Sequence, residues 1–509
     1  MSSAAPPPGQ QSDGRQMVAR GAGMAFAARL GAVIEVVNQP VFTRLFGLAT
    51  YGLYVVLWSY VRLVSAVTEL AMTSALQRYG AGAKDEELAH AVVKLAFLVT
   101  LASSLGVAAA TFLAAPWLAR FVNVAEADAA TLPTAIRIYA LTLPLWTVVE
   151  ISTSAVRARR AFGPEIRVRI LYEQISRLFF AVGFFLIGWR HLGLFVGHLL
   201  SLSLAAGLSV RLLLRYYDAR LLLRAPLERA LAQGVLGFSL LIMPTHLIQR
   251  AFTELPTALL NRLLPGVAGA EAAGLYGIAR RIASILQIVR MTFDYVLAPL
   301  AALHASVNWQ EVKAMYAYAT RLATILILPL AAGVVLARHD IAALFGAEAV
   351  KAAPLILILT IGRCAEALTG PSTALLEVLG KRGLPLVNNL AGLGVMLVLG
   401  AALTPGLGAE GMALGVIAGV NVVAMAGLAQ LHHMHHLHPF IAGYGRALAA
   451  GGVALALMLA SEPFIDMLPS SLRLLGAVTI YAILAFLAAR FGLAKADRAA
   501  FRRSPEARG

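Results

Sequence analysis

About fourteen windows of roughly twenty apolar residues recur along this chain, and no other feature restricts its fold so far. A window of that length lets an α-helix cross the ~30 Å hydrocarbon core of a bilayer. The windows lie near residues 21–43, 51–78, 88–115, 131–156, 167–188 and 193–214, then 233–256, 272–303, 315–337, 353–379, 384–404, 410–431, 441–461 and 470–491. With 59% of its residues hydrophobic and 13% charged, the chain is too apolar for a soluble domain of 509 residues. The expected fold class is an all-α polytopic membrane protein of about 14 transmembrane helices.

One stretch gives the windows an internal order. Between Phe42 and Gly82 the chain leaves the first apolar segment at an Arg44-Leu45-Phe46-Gly47 corner, turns through Ala49-Thr50-Tyr51-Gly52 and enters a second long apolar segment. A similar arrangement returns about 220 residues later, with Asn261-Arg262-Leu263-Leu264, a Gly-containing turn and Gly274-Leu275-Tyr276-Gly277. Two six-helix bundles related by internal duplication, plus two C-terminal helices, are therefore expected. The bundles would form parallel repeats about an axis along the membrane normal.

The expected divisions are a tail over 1–19, a first bundle over 20–215 and an amphipathic linker over 216–232. A second bundle over 233–432, a His-rich loop over 433–440, two further helices over 441–492 and a basic tail over 493–509 follow. The Ala-, Pro- and Ser-rich opening lacks the basic region and cleavage site of a secretory signal, and reads as a cytoplasmic tail.

The corner, the Tyr51-Gly52-Leu53-Tyr54 start and the long second helix resemble polysaccharide-type lipid-linked oligosaccharide flippases of the multidrug/oligosaccharidyl-lipid/polysaccharide exporter superfamily. The basic run Ala155-Val156-Arg157-Ala158-Arg159-Arg160-Ala161-Phe162 carries a second resemblance. The resemblance implies a flippase that moves a polyprenyl-pyrophosphate-linked oligosaccharide across the cytoplasmic membrane of a bacterium, for O-antigen, exopolysaccharide or capsule synthesis. It implies as partners the lipid-linked oligosaccharide, membrane lipids and other polysaccharide assembly proteins. A drug/cation antiporter of the same fold and a lipid II flippase are the alternatives. A glycan polymerase or ligase, which normally carries a large catalytic outer loop, ranks last.

Charge sets the expected orientation. Lys and Arg concentrate at 157–169, 211–229, 381–382 and 495–508, while the opposite loops hold about one each, so these clusters and both termini are placed in the cytoplasm. The formal charge of +16 is read the same way. Nucleic acid is not an expected partner, because no basic and aromatic interleaving accompanies the charge. The single cysteine, Cys364, excludes an intrachain disulfide. No Walker loop, zinc-binding His pair or nucleophile elbow occurs, so no catalytic residue, cofactor or metal is assigned and the chain is read as a non-enzyme. His432, His433, His435, His436 and His438 form a dense tract, read as a loop with incidental metal affinity.

Ionisable residues inside the apolar windows are the candidate site, since each costs roughly 2.5–3.5 kcal/mol at the centre of a lipid-facing helix and is expected to face a cavity. Four sets stand at helical ion-pair spacing: Glu173 with Arg177, Arg250 with Glu254, Arg290 with Asp294, and Arg363 with Glu366. Arg29, Arg62 and Arg137 have no acid three or four residues away. Arg29, Arg62, Arg137, Arg177, Arg250, Arg290 and Arg363 are expected to line a cationic cavity between the bundles, where a guanidinium fork suits phosphate oxygens. Glu35, Glu69 and Glu150 are candidate proton carriers by position, and Pro40, Pro144, Pro244, Pro256 and Pro329 are candidate hinges.

Overall fold

A computed structural model describes residues 32–494, apart from 82, 84, 160, 162–166, 306–307 and 382, together with residue 497. Its regular structure is helical throughout these residues. The first half contains α1 (Ala32–Phe46), α2 (Leu48–Thr68), α3 (Glu86–Leu118), α4 (Leu132–Ala158), α5 (Glu173–Leu186) and α6 (Gly193–Leu213). The second half contains α7 (Arg229–Leu263), α8 (Gly266–Ala305), α9 (Trp309–Leu336), α10 (Ala353–Leu368), α11 (Ser372–Leu379), α12 (Leu384–Leu407) and α13 (Ala409–His435). The hairpin α14 (Tyr444–Ala460) and α15 (Ser470–Gly492) completes the chain.

Among the described residues eleven helices are long and apolar enough to span a bilayer, and α10 with α11, bent by 47° at their junction, makes a twelfth. The remaining two of the fourteen expected segments carry shorter described helices. The opening of the first lies outside the described residues, leaving 15 residues in α1. In the fifth, a wider π-type turn over Arg167–Tyr172 precedes the 14 residues of α5.

Packing places α4 against α3 and α6 in the first half, and α8 against α9 and α10 in the second. The α14–α15 hairpin lies along α9, so the two appended helices belong to the second half's surface. Helix α2 joins the halves by packing on α7 and α8 as well as on α4. The main apolar cluster runs through both halves, holding Phe42, Tyr51 and Tyr139 together with Tyr276, Tyr316 and Ile356, and a smaller one lies at Met72, Leu76, Ile151 and Val235.

The duplicated motifs meet at this junction. A Cβ added to Gly274 would lie 3.1 Å from the Cα of Gly52 and 3.2 Å from the carbonyl oxygen of Leu48. One added to Gly52 would overlap the carbonyl of Ala270. Glycine in both Gly-Leu-Tyr sequences is therefore a requirement of close helix approach.

The end carrying the α1–α2 and α7–α8 corners, termed the hairpin end, is further closed by paired amides. Asn123 Nδ2 donates to the carbonyls of Asn261 (2.6 Å) and Leu264 (2.8 Å), and Asn261 Nδ2 donates back to the Asn123 carbonyl (2.7 Å). At the opposite, linker end, Tyr79 Oη donates to the carbonyl of Gly234 (3.2 Å), and the Arg78 guanidinium sits 4.4 Å from the Phe238 ring centroid.

The linker is docked on the first half. Its short helix, Ala219–Arg224, starts with the Asp218 carboxylate accepting from the N–H groups of Arg220 and Leu221, which lowers the Asp218 pKa. Lys94 of α3 donates to the carbonyls of Leu223 (2.8 Å) and Ala225 (2.9 Å), and Tyr217 is buried. The final turn of the expected linker, from Arg229, is already part of α7.

The helix breaks do not coincide with the prolines named as candidate hinges. Pro40, Pro144, Pro244, Pro256 and Pro329 all sit inside unbroken helices. The second segment instead breaks after Glu69, where Leu70 (φ 48°) and Ala71 (φ 54°) are left-handed. That conformation costs an L-residue roughly 1–2 kcal/mol. The chain restarts at Met72–Ala75 and passes through a π turn at Leu76–Gly80. The tenth segment breaks at Gly370-Pro371, where Gly370 has φ 67° and Pro371 lacks the N–H that would continue the helix.

Candidate functional site: a charged seam between the halves

Helical spacing brings a side chain near its own neighbours, but which partner it meets depends on what faces it. Glu254 of α7 is the clearest case. It is 1% exposed; its Oε1 lies 3.0 Å from Arg62 Nε of α2, and its Oε2 lies 3.6 Å from Arg280 of α8. Arg280 also donates to the carbonyl of Thr253. The expected Arg250–Glu254 pair is not formed. Two guanidiniums from other helices take the carboxylate, and among the described residues none supplies a carboxylate within ion-pair distance of Arg250.

Depth gives this cluster its meaning. Arg62 and Arg280 each stand fourteen residues beyond the starts of their helices, Leu48 and Gly266. At ~1.5 Å per residue that is roughly 21 Å from the hairpin end, within a ~30 Å hydrocarbon slab.

Arg250 faces a cavity of about 240 Å³ lined also by Glu69, His246, Gln249 and Thr253, beside the break in the second segment. Gln249 and Thr253 also line a larger cavity of about 430 Å³, which runs between α7, α8, α10, α11 and α12. Its charged groups are Arg290, Asp294, Arg363, Glu366 and Glu377, and its neutral donors and acceptors include Gln287, Thr373 and Asn389. Arg290 is ion-paired with Glu366 and approaches Asp294 at 3.6 Å, while its Nη2 donates to Thr373 Oγ1 at 2.6 Å. Arg363 donates to Glu366 at 2.8 Å.

The seven expected cavity arginines therefore separate. Arg62 and Arg250 stand at the seam between the halves, and Arg290 and Arg363 line the larger cavity. Arg177 is buried in the first half, ion-paired with Glu173 and donating to Tyr54 Oη at 3.1 Å. Arg137 packs over Phe112 of α3, 5.6 Å from its ring centroid, away from both cavities. Arg29 lies outside the described residues. Of the candidate proton carriers, Glu69 lines the smaller cavity and Glu150 is buried in α4. Glu35 belongs to α1, and its side chain lies outside what is described.

Arg280 is not among the seven arginines expected from the sequence. Its equal depth with Arg62 was the available signal. Arg44, at the first corner, donates to the Ala343 carbonyl at 3.0 Å and so links the two halves.

The His tract does not converge. His435 stacks on Trp309 at 4.7 Å, and its Nε2 lies 3.1 Å from the Leu379 carbonyl oxygen. His432 instead meets His436 and His438 edge-on. Burial, with Lys313 and His432 nearby, holds the His438 pKa below its usual range. Among the described residues no three His, Cys, Asp or Glu side chains form a metal-binding set.

Residues 41–354, more than half of the chain, match the family model described as polysaccharide biosynthesis protein. No curated protein matches it. The fold is similar to that of the lipid II flippase MurJ in an inward closed conformation, with TM-score 0.69 and 11% identity over 92% of this chain and 98% of that one. An inward-facing multidrug resistance MATE transporter superposes at TM-score 0.62, with 14% identity over 84% of this chain and 95% of its own. A MOP superfamily transporter from Pyrococcus furiosus, described by a binding pocket of reverse polarity, does so at 0.60, with 15% identity over 82% and 95%. At these identities the likeness is one of fold. Family match and fold together lead to one assignment: the chain belongs to the polysaccharide biosynthesis protein family, with a fold similar to that of MurJ and the MATE transporters.

Proposed function

We propose that this protein is a flippase for a polyprenyl-pyrophosphate-linked oligosaccharide, working by alternating access in the cytoplasmic membrane of a bacterium and serving cell-surface polysaccharide assembly. The observation that carries the reading is the seam itself. Arg62, Arg250 and Arg280 gather at membrane depth around Glu254, and Arg250 opens onto a cavity whose lining adds one further carboxylate, Glu69, so the arginines outnumber the acids. A pyrophosphate supplies the missing negative charge and suits the guanidinium fork. A drug or cation would want carboxylates free of guanidinium neighbours, whereas Glu254 and Glu366 are each shared by two arginines.

In this reading the glycan occupies the larger cavity, where Gln287, Thr373 and Asn389 offer neutral hydrogen-bonding groups. The prenyl chain stays in lipid. The two halves rock about the seam, with Glu69 as the carboxylate best placed to carry a coupling proton. The basic linker end faces the cytoplasm with both termini, and other polysaccharide assembly proteins are the partners that supply and consume the substrate.

The test is translocation of a fluorescent lipid-linked oligosaccharide in vesicles containing the full-length protein. Arg250→Ala is expected to lower the initial rate by about tenfold or more, the scale of one lost charge-assisted contact. Arg250→Lys is expected to recover part of it, because a point charge replaces a fork. Normal translocation by correctly inserted Arg250→Ala would remove the headgroup role of the seam.

A further inference from the structure

Among the described residues, three carboxylate–arginine clusters lie wholly within the apolar helices α2, α5, α7, α8 and α10, and they are built differently. Glu173–Arg177 lies within the first half and is fastened by the Tyr54 hydroxyl. Arg290–Glu366–Arg363 lies within the second half and carries aligned hydrogen bonds at 2.6 Å to Thr373 and 2.8 Å to Glu366. The third, Arg62–Glu254–Arg280, crosses from one half to the other. Its carboxylate is held by charge contacts to two other helices, with Oε1 3.0 Å from Arg62 Nε but without an aligned hydrogen bond, and Oε2 3.6 Å from Arg280.

Its arginines are also partly exposed, as is Arg363 of the second cluster at 21%. The side chains of Arg62 and Arg280 are 27% and 22% exposed while Glu254 is at 1%, so the guanidiniums keep open surface that the carboxylate does not cover.

We propose that Glu254 is a resident counter-anion. In the empty transporter it occupies the place of a substrate oxyanion between Arg62 and Arg280 and ties α2 of the first half to α7 and α8 of the second. An incoming anionic headgroup takes the two guanidiniums, and the tie between the halves is released. This rests on the headgroup reading given above and assigns that site its trigger. The physical basis is competition: carboxylate and phosphate oxygens use the same guanidinium donors, so only one satisfies them at a time. A ligand shifts a two-state equilibrium only through its differential affinity for the two states, and displacing an internal competitor supplies that difference.

The sign of the mutational effect separates this role from a structural one. In the full-length purified protein, titrated with inorganic pyrophosphate and followed by calorimetry, Glu254→Gln is expected to bind about tenfold more tightly than wild type, as for a competent state raised from roughly one tenth to full population. Glu254→Asp, which keeps the charge with a shorter reach, is expected to show a smaller gain and carries the same test should the glutamine variant fail to insert. Arg62→Ala is expected to bind more weakly. Binding by wild type with no gain in either Glu254 variant overturns the counter-anion and leaves the headgroup reading standing. No pyrophosphate binding by wild type or any variant overturns both.

A second measurement needs no ligand. Spin labels at Arg120→Cys and Glu348→Cys, both exposed, report the distance between the halves in a Cys364→Ser background. Glu254→Gln is expected to lengthen or broaden that distribution, and an unchanged distribution overturns the tie.

Discussion

At the scale of single residues, a buried charge is judged by what remains when its partner is removed. Glu173 and Arg177 have side chains 4% and 5% exposed, so Glu173→Ala strands a guanidinium in the first half. The expected loss is about 3–5 kcal/mol, seen as a lower melting temperature in detergent, with Glu173→Ala/Arg177→Met recovering most of it. This pair was legible in the sequence because its four-residue spacing stacks the side chains one helical turn apart. The same rule failed for Arg250 and Glu254. Two arginines on neighbouring helices approach Glu254 more directly than the arginine on its own helix, and sequence spacing holds no record of the neighbouring helices.

At the scale of the helix, apolar length located the segments, while their interruptions needed the backbone. The breaks at Leu70-Ala71 and Gly370-Pro371 stand beside the two cavities: Ala71 lines the smaller, and Thr373, just past the second break, lines the larger. Leu70 and Ala71 carry no mark in the sequence, since neither is a residue that favours a left-handed conformation. The Gly-Leu-Tyr repeat was visible, and its packing role was not. Because Gly52 meets the Ala270 carbonyl directly, Gly52→Leu forces α2 and α8 apart and is expected to abolish translocation in protein that still inserts. A leucine tolerated there with normal translocation would show that the contact opens during the cycle at no cost.

At the scale of the molecule, the appended hairpin is locked to the second half through a residue that composition assigns to a solvated tail. Arg321 of α9 donates to Asp497 through Nε (3.0 Å) and Nη2 (2.9 Å), and their side chains are only 6% and 3% exposed. Asp497→Ala is expected to cost about 3–5 kcal/mol, the range for breaking a buried pair. Limited proteolysis is expected to show α14 and α15 released before the remaining helices. Release of all helices together would mean that apolar packing along α9 holds the hairpin alone.

What the sequence determined by itself was the class of solvent, the approximate places of the spans, the paired Gly-Leu-Tyr motifs and the fact that charges at membrane depth need partners. Each is a property of composition or of spacing along one helix, and both are local. Only the tertiary structure decided which guanidiniums share Glu254, that Arg137 packs on Phe112 apart from the cavities, and that the cavities open beside helix breaks. Those outcomes depend on contacts between residues up to about two hundred positions apart. Burial and electrostatics there are set by whichever helices happen to face one another, and periodicity along a single helix does not encode that.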